Sequence, residues 1–122
     1  MKISTIQILK NFRGEDMQMS VTEIVNGKEE VILKPMVLRE IVTNILNMED
    51  KDNRLTAEKK TQAFQIMKKL WESNEVELSL NQKAFIADRA KLFLPTMTAG
   101  LIEEALEGVS DTNLVDKPVF NN

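Results

Sequence analysis

The apolar residues of this chain change their period at Pro35, from the two-residue repeat of a strand to the 3.6-residue repeat of a helix. Before Pro35, apolar and polar residues alternate over 17–22, as in a strand with one buried face. Asn26 and Gly27 follow, and this pair favours a type I′ hairpin turn because both central residues of that turn need a positive φ. A second apolar run at 31–33 completes the pattern. The sequence therefore predicts an N-terminal β-hairpin.

The segment before the hairpin is also predicted to contribute to the β-rich part, which covers residues 1–34. Residues 3–9 are predicted as a further strand, with its turn at 13–16. A hairpin and a small three-stranded meander therefore both stay open.

Two helices are predicted between Pro35 and Ser73. The first carries one continuous apolar stripe, which consists of Val37, Leu38, Ile41, Val42, Ile45 and Leu46. Thr56 is the predicted N-cap of the second helix, because its hydroxyl can accept a bond from a free amide of the first turn. The predicted buried face of the second helix consists of Ala63, Phe64, Met67, Leu70 and Trp71.

Two more helices are predicted before Gly108. Ser79 and Gln82 have the spacing of a capping box, so the third helix is expected over 80–94. This helix is apolar on two sides, which is typical of a helix at the centre of a bundle or at a subunit interface. The fourth helix is expected to begin at Thr96 or Thr98 and to end at Gly108, where a C′ glycine is favoured.

These elements predict an α+β fold, in which the hairpin or small meander packs on a four-helix domain. The domain is expected over residues 1–108, with a helical part over 35–108, and residues 109–122 are expected to form a flexible tail. An all-helical fold with an irregular N-terminus is the alternative.

The chain contains no His, Cys or Tyr, which removes several kinds of chemistry. Without imidazole and thiolate, the usual zinc, copper and iron–sulfur ligands and the common nucleophile–base pairs are missing. The acidic loop over 49–53 lacks the glycine of a calcium-binding loop, so we interpret it as a solvated connection. No phosphate-binding glycine motif is present. The prediction is a protein without catalytic activity, metal or cofactor.

Charge and hydropathy bound the kinds of partner. The net charge is −3, which disfavours nucleic acid as a partner. No apolar run is long enough for a membrane span or a signal peptide, so a cytoplasmic location is expected. The candidate contact residues belong to the first strand of the hairpin, the second helix and the fourth helix. They are Met17 and Met19; Lys59, Lys60, Lys68 and Lys69; and Glu103, Glu104 and Glu107.

The order of elements resembles that of small, mostly uncharacterised proteins encoded by bacteriophages and prophages. The resemblance covers about residues 30–108 and depends on the segments 32–42, 55–60, 76–79 and 106–108. It implies a short strand segment before three or four helices and a phage origin, and with it the cytoplasm of a bacterial host cell as the location. It carries no functional residue with it.

Three functions remain after these exclusions. The first is a non-enzymatic accessory protein that binds a host or phage protein, for example a host enzyme or a defence complex. The second is an oligomeric structural or assembly component, with the two-sided helix over 80–94 as the contact between copies. The third is a nucleic-acid-binding regulator that uses the lysines of the second helix.

Overall fold

The computed structural model describes residues 2–108 and has an α+β architecture, as predicted. The predicted tail at 109–122 lies outside the described residues. Short antiparallel strands precede or connect four helices. The elements are β1 (Ile3–Ser4), β2 (Gln18–Val25), β3 (Lys28–Pro35), α1 (Leu38–Leu46), α2 (Ala57–Glu72), β4 (Glu75–Val76), α3 (Leu80–Phe93) and α4 (Thr96–Leu106).

The hairpin prediction is confirmed. β2 and β3 pair antiparallel along their whole length, from Gln18 opposite Pro35 to Val25 opposite Lys28. The two turn residues have positive φ values, 53° at Asn26 and 79° at Gly27. The local Asn-Gly pair thus sets both the turn and the register.

Leu9 closes the base of the hairpin. Its amide donates to the carbonyl of Met36 (3.0 Å), and its carbonyl accepts from the amide of Met17 (2.8 Å). The amide of Met36 in turn donates to the carbonyl of Met17. The N-terminal segment therefore enters between the two strands at the point where they separate.

The strand predicted over 3–9 is present only as the two residues of β1, and its partner differs from that of a meander. Residues 3–9 do not pair with β2 as a regular strand; β1 pairs with β4 instead, with Ile3 opposite Val76. The turn predicted at 13–16 spans Asn11 to Glu15, whose backbone groups bond at 2.9 Å. The Asn11 side chain stabilises this turn because its Oδ1 accepts from the amides of Arg13 and Glu15.

The helix ends follow the local signals. Thr56 caps α2 by accepting from the Lys59 amide, and Ser79 and Gln82 form the predicted capping box at α3. α4 begins at Thr96, and the positive φ of 67° at Gly108 ends it. All but one residue of the predicted α1 stripe are buried, and the half-buried Val37 stands at the N-cap.

The buried face of α2 differs from the prediction. Ala63 and Leu70 are buried as expected, but Ile66 completes the buried face, while the Phe64 side chain is 62% exposed. Phe64 and Ile66 are two residues apart, so their side chains lie on nearly opposite sides of the helix. The Ile66 side is the one that α2 buries, and α2 packs against α1.

α3 lies between two other helices, because it packs against both α1 and α4. Ile86, Ala87 and Ala90 are buried there. These contacts account for the two apolar sides of α3 within a single chain, so they supply no separate reason for an interface between copies at 80–94. Leu80 and Leu92, at the two ends of the helix, are exposed.

Candidate functional site

The outer half of the hairpin extends beyond the core. Every residue from 22 to 31 is exposed. Because side chains alternate between the faces of a strand, the observed register places Ile24, Val31 and Leu33 on the same face. We call these three residues the hairpin face. Their side chains are 76%, 71% and 67% exposed, respectively.

The opposite face of the hairpin packs on the domain. Met19 is buried, and Val21 and Met17 are half-buried against the core. The expectation that Met17 and Met19 present themselves to a partner is therefore corrected. The predicted alternation is present, but the methionines occupy the inward face, and the outward face carries three exposed aliphatic side chains that the apolar pattern alone does not distinguish.

The backbone of the hairpin also has unpaired edges. In the described part of the chain, β2 and β3 form a sheet of two strands. Val25 and Lys28 flank a two-residue turn and bond to each other, so the hydrogen-bonded pairs alternate from there. The amides and carbonyls of residues 20, 22 and 24 on β2, and of 29, 31 and 33 on β3, therefore point away from the partner strand. Such edges can pair with a further strand.

The lysines of α2 do not form one surface. Lys59, Lys60 and Lys68 are exposed and Lys69 is half-buried. Successive residues of a helix are 100° apart, so the two adjacent pairs, eight to ten residues apart, point in four directions around the axis. The four lysines therefore do not share one face of α2.

The acidic residues of α4 have different surroundings. Glu103 is half-buried and lies 3.5 Å from the ammonium group of Lys91 on α3. Glu104 lies at a shallow cleft that Lys10 also lines, and Glu107 is exposed at the end of the helix. Residues 103 and 107 are four apart and 104 and 107 three apart, so the three carboxylates share one flank of α4 and its C-cap, each with different neighbours.

Arg89 organises the acidic loop that follows α1. Its side chain on α3 is only 6% exposed and donates to the carbonyls of Met48 and Asn53, and its guanidinium stacks on Phe93 at 4.9 Å. Within the loop, Asp50 accepts from the Asp52 amide and from the Asn53 side chain. Because these oxygens already have partners, the loop is a folded connection. Among residues 2–108, no group of three or more acidic, His or Cys side chains is placed to hold a metal ion.

Trp71 joins α2 to α1. Its indole N–H donates to the Thr43 hydroxyl at 2.7 Å, and the Arg39 guanidinium lies over its ring at 4.3 Å. Trp71 is 47% exposed, so it is not a core residue, although its ring and its N–H both have partners within the chain. Its bonds within the chain make it a structural contact.

Comparison with protein-family models, with curated proteins and with solved structures gave no match. Over the described range, no helix is long and apolar enough to span a membrane. What the chain does must therefore be inferred from its own surfaces, of which the hairpin face is the most unusual.

Proposed function

We propose that this protein is a non-enzymatic accessory protein that binds another protein through its hairpin, with the helices serving as the scaffold. The observation that carries the proposal is the exposure of three large aliphatic side chains on one face of a protruding hairpin. The phage origin implied by the resemblance belongs to the same proposal, with a host or phage protein as the partner.

The energetics favour a binding role over a purely structural one. Full burial of a Val, Leu or Ile side chain contributes roughly 1.5–3 kcal/mol. With about 70% of each side chain in water, the hairpin face gains less than a third of that amount in the free chain. Contact with a partner would supply the remainder, roughly 1–2 kcal/mol for each residue.

The β2 edge adds directional contacts to the apolar ones. Its outward amides and carbonyls, at Ser20, Thr22 and Ile24, can pair with an extended segment of the partner. Ile24 belongs to both the β2 edge and the hairpin face. One bound segment would therefore form hydrogen bonds with the outward amides and carbonyls of β2 and also cover the apolar side chain of Ile24.

The test is affinity capture from bacterial lysate, with and without phage infection, read out by mass spectrometry. The wild-type chain is compared with a triple variant, Ile24→Thr, Val31→Thr and Leu33→Thr. We expect a protein that the wild type retains in stoichiometric amount and that the triple variant loses. Retention of the same proteins by the triple variant would contradict the proposal.

A matched control removes exposed apolar surface elsewhere. Leu80→Gln with Leu92→Gln changes side chains that are 82% and 51% exposed at the ends of α3. This control should retain the partner. Loss of the partner in the control as well would indicate nonspecific binding to exposed apolar side chains and would contradict a specific role of the hairpin.

A further inference from the structure

The charges along β3 are complementary to those of a second, antiparallel copy of the same strand. The strand carries Glu30 two residues before Ile32 and Lys34 two residues after it. Val31 and Leu33 flank Ile32 directly. An antiparallel copy of the same strand, centred on Ile32, would therefore place each glutamate opposite a lysine.

We infer that β3 is a homodimer interface, in which a second copy adds its β3 strand antiparallel about a two-fold axis at Ile32. In this register Val31 lies opposite Leu33 of the second copy, and each exchanges backbone bonds with the other. Both have their amide and carbonyl on the outer edge, as the alternation from the turn requires. The result is a four-stranded antiparallel sheet.

Charge within the hairpin supports this occupant. Glu30 lies directly opposite Glu23 in the β2–β3 pair, and like charges opposite each other destabilise a sheet. Lys34 of the second copy would lie on the other side of Glu30, in place of solvent. Lys34 is already held at the end of β3, 3.5 Å from Glu40 of α1, with 41% of its side chain exposed.

The β2 edge does not have this property. About a centre at Val21, Met19 would lie opposite Glu23, and β2 carries no cation. A dimer through β3 also leaves both β2 edges at the outside of the four-stranded sheet. It brings the two hairpin faces together into one larger apolar surface. The inference goes beyond the proposed function and does not depend on it, since it concerns the purified chain alone.

The test is sedimentation of purified wild type, of Glu30→Lys and of Lys34→Glu. Each single change replaces two attractive cross-strand pairs by two repulsive ones, so we expect the dimer dissociation constant to rise about tenfold to a hundredfold. Mixing the two variants restores two opposite-charge pairs, so the mixture should form a heterodimer with a dissociation constant close to that of the wild-type dimer. Glu29→Lys is the matched control, because position 29 faces Pro35 of the second copy; it should leave the dimer intact.

A disulfide test is independent of charge. The chain has no Cys, so Ile32→Cys introduces a single thiol at the two-fold axis. Non-hydrogen-bonded antiparallel pairs have Cα atoms about 4.5 Å apart, which suits a disulfide. We expect a covalent dimer from Ile32→Cys on mild oxidation and none from Thr22→Cys on the β2 edge. A monomeric wild type, a dimer that persists in Glu30→Lys, or equal cross-linking at both positions would overturn the inference.

Discussion

The hairpin face should contribute little to the stability of the free chain, and the triple variant Ile24→Thr, Val31→Thr, Leu33→Thr measures that contribution. Each side chain has about 30% of its surface covered, which corresponds to roughly 0.5–0.9 kcal/mol of the 1.5–3 kcal/mol for full burial. Thr keeps part of this area and favours strands. The free energy of unfolding should therefore fall by about 1.5 kcal/mol or less.

Ile45→Ala is the reference variant, because it truncates a side chain that contributes to the stability of the core. Ile45 is fully buried in α1, and truncation of a buried Ile to Ala costs about 2–5 kcal/mol. The assay is urea unfolding at a concentration where the chain is monomeric, followed by the fluorescence of Trp71, the single tryptophan, which lies outside the hairpin. If the triple variant loses as much stability as Ile45→Ala, the hairpin face is packed in the free chain and our reasoning about it is refuted.

Three further predictions concern the scaffold. Ile41→Asp places a carboxylate in the core at a position only 5% exposed, so the chain should lose its helical circular dichroism; a folded variant with an unchanged melting temperature would contradict the α1 packing. Arg89→Met removes two charge-assisted bonds to loop carbonyls and should cost about 3 kcal/mol, with faster amide hydrogen exchange over 48–53; unchanged exchange there would contradict the role of Arg89. Trp71→Phe loses the bond to the Thr43 hydroxyl and should cost about 1 kcal/mol, and Thr43→Val should add little to it; additive losses in calorimetry would show that the two side chains do not act as one contact.

Local signals in the sequence were sufficient where the structure depends on neighbouring residues. Asn26 and Gly27 determine the hairpin turn, and Thr56 and Ser79 cap their helices through bonds to amides three residues ahead. The end of α4 at Gly108 is also a local feature, because glycine adopts the positive φ of a helix C-terminus without steric cost. Each of these features could be predicted without knowledge of the rest of the fold.

Features that depend on distant residues could not be predicted in this way. β1 pairs with β4 across more than seventy residues, and Leu9 enters the base of the hairpin from outside it. On α2, Phe64 and Ile66 are equally apolar, and only the position of the neighbouring helices decides which is buried. The contacts of Arg89 could not be predicted for the same reason. Its position in α3 does not indicate that the carbonyls of Met48 and Asn53 lie within hydrogen-bond distance of its guanidinium.

The candidate surface was predicted in part. The sequence located the hairpin and placed contact residues on its first strand, but it selected the methionines of the buried face. The two faces of β2 and β3 both carry apolar residues, so alternation alone does not show which of them meets the core. The register and the exposure of Val31 and Leu33 decide that question.

Site-specific photo-cross-linking tests the central claim most directly. A photoreactive amino acid is placed at Val31 on the hairpin face or, as a control, at the exposed Lys68 on α2, and the chain is irradiated in lysate. We predict a discrete adduct with another protein from position 31, distinct from the dimer of this chain, and no such adduct from position 68. The same adducts from both positions, or an adduct from position 68 alone, would contradict the claim that the hairpin is the binding surface.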